Sequence, residues 1–292
     1  MQPFSGAAKS EYGHSLAASS AIAPGCASLE VRLVSNESAV TSAAASSPLK
    51  ILIPRARGHS VWACLSSLGG GLVAGDETTL TVKLGRQSCC FLTTQASTKV
   101  YRNPRALPCS YSFRAELEAR SLLAYVPDPV SAFRGSHYRQ RQEFSLAHDS
   151  GLVLVDWLCS GRAECGERWA FQRFESRNDI FFEDTRVLLD SLLLDPADGP
   201  LDGLYRMGRF NCLALVIVMG KPFKAASGDL LKNISNLPAP KRASLICSAS
   251  PVKEGVLIRL AGETVEAVRK EIHCLLAFLP EFLHDDPWAR KW

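Results

Sequence analysis

Apolar and polar residues alternate with period two through much of the chain between Leu29 and Leu194. Leu80, Val82 and Leu84 interleave with Thr79, Thr81 and Lys83, and Tyr111, Phe113, Ala115 and Leu117 interleave with Ser112, Arg114, Glu116 and Glu118. Tyr138, Gln140, Gln142, Phe144 and Leu146 share one side of a later segment, while His137, Arg139, Arg141 and Glu143 take the other. Successive side chains of a strand point to opposite faces, so this pattern predicts half-buried strands. Gly75-Asp76, Leu84-Gly85, Asn103-Pro104, Pro127-Asp128-Pro129 and His148 to Gly151 supply the turns. Nothing in this stretch sustains a helical stripe. A mainly β, antiparallel body over 29–194 is expected.

The texture changes at Asp195-Pro196-Ala197-Asp198-Gly199-Pro200. Phe210 to Met219 reads as a buried strand, Ser227 as the cap of a short helix reaching Leu237, and Leu245–Ser248 and Val256–Leu260 as further strands. Val265, Val268, Ile272, Leu275 and Leu279 fall on one face of a last helix, with Glu263 and Glu266 early, Arg269 and Lys270 later, and Pro280 as its stop. This gives a small C-terminal α+β part, 195–292, carrying two helices and packed on the body as one structural unit. Residues 1–28, rich in Ala, Ser and Gly, read as a flexible extension.

Composition narrows the class. With 47% hydrophobic and 21% charged residues the chain can bury a large core. A net charge of +4, from 33 basic and 29 acidic residues, is too small and dispersed for a nucleic-acid footprint. The apolar run Cys212–Met219 is far short of the roughly 20 residues of a membrane span, and the N-terminus lacks the basic and Leu-rich regions of a secretory signal. Ten cysteines without a C-x-x-C pair, several inside apolar runs, read as reduced thiols of a cytoplasmic protein.

Motifs for chemistry are few. Gly69-Gly70-Gly71-Leu72-Val73-Ala74 fits a dinucleotide fingerprint in letters only: it leads into a strand, and no acid follows in the Cys90–Val100 window. There is no P-loop, no G-x-S-x-G, and no metal-type spacing among His14, His59, His137, His148, His273 and His284. A thiol- or metal-dependent enzyme would need a Cys/His/Asp cluster that the spacing does not display; His273 beside Cys274 is the nearest candidate. A surface lipoprotein would rest on Cys26 alone. Two polar blocks stand out, Leu92 to Arg102 and Gly166 to Arg177. If the second is a strand, Arg168, Ala170, Gln172 and Phe174 lie on one side and Glu167, Trp169, Phe171 and Arg173 on the other.

Taken in order, Gly69-Gly70-Gly71 through Gly75-Asp76, Leu92 through Arg102 (including Lys99-Val100-Tyr101-Arg102), Pro127-Asp128-Pro129, Phe133-Arg134-Gly135 leading to Gln140-Arg141, Gly166 through Arg177, and Gly255 to Arg259 resemble the UreD/UreH family of urease accessory proteins. The resemblance runs from about Leu29 to the end. It implies a β-helix-like, rolled β body, and a non-catalytic scaffold or chaperone for nickel insertion into apo-urease. Its partners would be urease accessory protein F, the GTPase urease accessory protein G and the urease apoprotein. No tightly bound cofactor is implied, only nickel in transit through a water-filled passage.

Nickel stands high in the divalent affinity order, so imidazole or thiolate cages would trap it, whereas carboxylates, hydroxyls and water release it. On that argument Asp76, Glu77, Thr93, Thr94, Asp128, Glu167 and Glu175 are the candidate passage residues. Lys99, Arg102, Arg141, Arg168, Arg173 and Arg177 repel a cation and are expected to brace strands or partner surfaces, along with Tyr101 and the turn glycines Gly69, Gly70, Gly71 and Gly75.

Overall fold

The computed structural model describes residues 22–55, 58–238 and 241–289. Most of the expected extension at 1–28 lies outside the described residues; by Cys26 the chain has already entered its first strand. A hairpin of β1 (Cys26–Val34) and β2 (Glu37–Ala45) opens the fold, with Ser35 and Asn36 of its turn at φ of 51° and 67°. Two positive φ values in a two-residue loop give the turn whose twist matches that of the flanking strands. There follow β3 (Leu49–Leu52), β4 (Val61–Ser67), β5 (Glu77–Leu84), β6 (Cys89–Thr94), β7 (Thr98–Val100), β8 (Cys109–Leu117), β9 (Leu122–Tyr125) and β10 (Val130–Ala132). The body closes with β11 (His137–Leu146), β12 (Gly151–Cys159), β13 (Arg173–Phe182) and β14 (Thr185–Leu194).

These strands alternate between two facing sheets. One has the order β14-β13-β11-β8-β5-β1-β2, while β12-β9-β6-β4-β3 run side by side in the other. Neighbours β1, β5, β8, β11 and β13 are parallel, as are β4, β6, β9 and β12. Each coil of chain therefore adds one strand to each sheet, and the body is a rolled, β-helix-like stack, as the resemblance implied. The antiparallel direction expected for it is corrected. Period two reports which face a residue occupies and is blind to strand direction. Antiparallel hairpins are confined to the two ends, at β1–β2 with β3–β4 and at β13–β14.

The C-terminal part extends the second sheet. β15 (Cys212–Met219) pairs antiparallel with β12, and α1 (Lys224–Ser235) leads to the hairpin of β16 (Leu245–Val252) and β17 (Gly255–Gly262), with β17 on β15. Next come α2 (Val265–Leu275) and the short α3 (Leu279–Leu283). The described residues thus hold three α-helices where two were expected. Ser227 lies inside α1, its hydroxyl donating to the Val218 carbonyl (3.1 Å), and Pro280 opens α3 instead of stopping α2. The helices cover the outer face of the second sheet, where Val153, Val155, Val216, Val218, Ile258, Val268 and Ile272 form one core. A second core fills the space between the sheets.

β12 shows how the two cores share a strand. Val153, Val155 and Trp157 face the helices; Leu152, Leu154 and Leu158 face the other sheet. Burial on both sides explains its nearly continuous apolar run. The one carboxylate in that run, Asp156, occupies the inward row.

Candidate functional site

Register places a line of polar side chains inside the stack. Thr78, Tyr111, Gln140 and Ser176 are successive partners on β5, β8, β11 and β13, and all point inward in one layer. In the next layer Gln142 pairs with Asn178. From the facing sheet Asp156 meets this line. Its carboxylate accepts from Gln140 Nε2 (2.9 Å), Ser176 Oγ (2.7 Å) and Asn178 Nδ2 (2.9 Å). Tyr138 donates to Gln140 Oε1 (3.1 Å), and the Tyr111 and Tyr125 hydroxyls lie 3.2 Å apart.

These groups border open space. A cavity of about 190 Å³ runs from Gly70, Gly71 and Lys99 inward past Thr94, Asp128 and Gln142 to Asp156. A second, of about 360 Å³, starts at Asp156 and Ser176 and continues to Asp190, Ser191 and Arg259 where β14 faces the C-terminal hairpin. Asp156 lines both. A cavity of this size with several polar groups can hold water. Two carbonyl oxygens reinforce the point: Gln142 Oε1 and Asn178 Oδ1 are buried without a hydrogen-bond partner among the described residues. Their residues are 2% and 0% exposed, and a buried acceptor left unpaired costs about 1–3 kcal/mol. Burial also pushes the Tyr111 and Tyr138 hydroxyls well above the ordinary phenol value, and Tyr125 likewise, so the three remain protonated donors.

Of the seven acids and threonines expected in a passage, Thr94 and Asp128 are brought together here. Asp128 N–H donates to Thr94 Oγ1 (2.7 Å), and the Asp128 side chain, in a residue only 6% exposed, lies 3.9 Å from Arg269 Nη2 of α2. Thr93, one residue earlier on β6, faces the helices and donates to the Val126 carbonyl (2.7 Å). Asp76 staples its own turn by accepting from Val73 N–H (2.8 Å), and Glu77 is exposed at the start of β5. Glu175 is held by Arg173 (2.8 Å) and lies 3.5 Å from Arg139 and 3.6 Å from His137; its carboxyl sits below the ordinary range, although burial works against the shift. Glu167 accepts two guanidinium N–H groups from Arg162 (2.9 and 2.5 Å), which lower its carboxyl. Asp76, Glu77, Thr93, Glu167 and Glu175 border neither inter-sheet cavity. Gly166 to Gln172 is loop, not strand, with Trp169 at φ 50°; only Arg173 onward is paired. A loop free of pleating let Glu167 turn back onto Arg162.

Among the cations, Arg168 donates to Asn211 Oδ1 (2.6 Å) and the Gly208 carbonyl (2.7 Å), Arg173 joins Glu175 and Asp195, and Arg177 joins Asp179 (2.7 Å). Lys99, Arg102 and Arg141 are exposed. Tyr101 lies with its hydroxyl 3.5 Å from the Gly70 carbonyl. Gly69, Gly70, Gly71 and Gly75 all have positive φ, and a Cβ on Gly71 would meet the Lys99 carbonyl oxygen at 2.5 Å, at the mouth of the first cavity. Gln140, Gln142, Ser176, Asn178 and Asp156 were missed as site residues. The readable signals were amides on the apolar side of β11 and an acid interrupting Leu152–Leu158.

Among the described residues no group of three or more His, Cys, Asp and Glu converges to hold a metal, and no helix is long and apolar enough to cross a membrane. A rolled β stack with a row of polar side chains and two cavities in its interior defines a class: a β-coil protein with a polar interior. Its family is specific. The family described as UreD urease accessory protein matches residues 23–292, and the chain belongs to it. It is 45% identical over 260 residues to the urease accessory protein UreD of Sorangium cellulosum, covering 89% of this chain and 81% of that one. Identity is 38% with the UreD protein of Anaeromyxobacter sp. (91% and 89% covered) and 31% with urease accessory protein D of Arabidopsis thaliana (89% and 98%). The chain is accordingly a urease accessory protein and not an enzyme.

Proposed function

We propose that this protein conducts Ni²⁺ toward apo-urease along the lane between its sheets. It would act as the non-catalytic scaffold of a cytoplasmic complex with urease accessory protein F, the GTPase urease accessory protein G and the urease apoprotein. The observation that carries the reading is Asp156: one carboxylate at the junction of two cavities, surrounded by hydroxyl and amide groups. Oxygen donors of this kind bind a borderline cation weakly enough to release it, and Asp128 with Thr94 supplies a second such group nearer the Gly71 mouth. Hydrolysis of GTP would belong to the partner, since this chain has no P-loop.

The test is Asp156→Asn, which keeps the shape and removes the charge. Co-expressed with urease accessory proteins F and G and the urease apoprotein, it should lower urease activation and nickel content while still co-purifying with the complex. Wild-type activation by Asp156→Asn and by Asp128→Asn would overturn the reading. Loss of co-purification would instead point to a folding defect, which circular dichroism would reveal.

A further inference from the structure

A second feature lies outside the lane. The loops 101–108, 133–136 and 160–172, where successive coils turn from one sheet to the other, meet along one edge of the stack and enclose a groove of about 610 Å³ lined by Arg102, Arg134, Arg162, Tyr101, Phe133 and Glu167, among others. The loops are tied together by backbone: Asn103 N–H donates to the Gly135 carbonyl (2.8 Å) and Gly135 N–H to the Ala170 carbonyl (2.9 Å). The aromatic floor is built too. Tyr101 meets Phe133 edge-on at 5.5 Å, and the Arg162 guanidinium sits 4.7 Å over the Phe133 ring. A site already braced loses little freedom on binding.

The charges do not balance. Three guanidinium groups line the groove, and Glu167 is the carboxylate among the described residues lining it. Glu167 already accepts two N–H groups from Arg162. Arg134 donates to the Gly166 carbonyl (3.1 Å) and retains further N–H groups. Arg102 is exposed and makes no side-chain hydrogen bond or ion pair with any described residue. Guanidinium forks match carboxylates in geometry as well as charge.

We infer that this groove is a docking site for an acidic segment of a partner protein, whose carboxylate side chains engage Arg102 and Arg134. A duplex or single-stranded nucleic acid fits less well: the cations are gathered in one recess, and the chain's net charge of +4 provides no extended basic stripe. The inference stands independently of whether the lane carries nickel, because docking here involves no metal.

The test uses the full chain, metal-free, and a rhodamine-labelled peptide of alternating Glu and Gly, followed by fluorescence anisotropy. The Glu peptide should bind saturably and its Gln counterpart should not. Arg102→Glu should weaken binding at least about tenfold, Arg102→Lys less, and Arg134→Glu comparably to Arg102→Glu. Arg86→Glu, an exposed arginine on the turn after β5, should leave it unchanged. Both charge reversals must melt like wild type; Arg102→Lys, which keeps the charge at a position with no side-chain hydrogen bond or ion pair to a described residue, provides the check if either does not. Equal binding by wild type and Arg102→Glu, or an equal loss with Arg86→Glu, would overturn the proposal. So would tighter, Arg102-dependent binding of an oligothymidylate.

Discussion

Gln142 and Asp156 hold opposite positions in the same interior. The Asp156 carboxylate accepts from three donors, whereas Gln142 Oε1 is buried with none among the described residues. Replacing Gln142 by Leu removes that unpaired acceptor in favour of an apolar side chain of similar size. We expect Gln142→Leu to stabilise the fold by about 1 kcal/mol in urea unfolding, yet to lower urease activation in cells. Gain of stability with undiminished activation would detach this amide from the lane. Asp179 presents a different residue-level case. It is 1% exposed and paired with Arg177, which holds its carboxyl below the ordinary 3.8. Because the folded-state value is depressed, the stabilisation is complete above 3.8 and disappears as pH falls through the lower folded value. Asp179→Asn should cost about 2 kcal/mol at neutral pH, and the gap to wild type should narrow in acid. A gap constant from pH 7 to pH 2 would contradict that account.

At the scale of elements, α2 was the most legible. Its apolar stripe of Val268, Ile272 and Leu275 is the buried face, and Thr264 caps it by accepting from Ala267 N–H (3.1 Å). Thr264→Ala should cost about 1 kcal/mol in thermal or chemical unfolding; no change would mean that packing alone defines the helix start. The alternation on β11 was equally readable, with Tyr138, Gln140, Gln142, Phe144 and Leu146 all buried. What local pattern could not convey is which strand lies beside which. The layer Thr78–Tyr111–Gln140–Ser176 joins residues about thirty positions apart, and only the coil register brings them into one row. Acids near glycine turns were readable as acids, but their partners Val73 N–H and Arg162 were not. A carboxylate satisfied locally looks the same in sequence as one facing a cavity.

Across the whole molecule, the cysteines report on burial. Burial pushes the Cys89 and Cys109 thiols up to about 12 and Cys247 to about 11, and Cys90 and Cys212 higher still. Cys165 and Cys274 are exposed. Iodoacetamide at pH 8 should therefore modify Cys165 and Cys274 first and reach Cys90 and Cys212 only after unfolding, as mass spectrometry of digests would read. Rapid alkylation of Cys89 or Cys109 in the folded chain would revive a reactive thiol. The same burial means that stability falls as pH rises past the ordinary thiol value of 9.0, since the unfolded chain then loses protons that the folded one keeps.

The parity of β11 has one more effect. Gln140 and Gln142 look inward while Arg139 and Arg141, each a single position away, look outward. Sliding that strand by one residue against its neighbours would swap the two sets. Guanidinium groups would then stand where the amides do, and the interior row beside Asp156 would carry positive charge in place of neutral amides. The charge of that interior row is thus written in odd and even numbers, and an insertion or deletion within this strand should reverse it beyond the altered position.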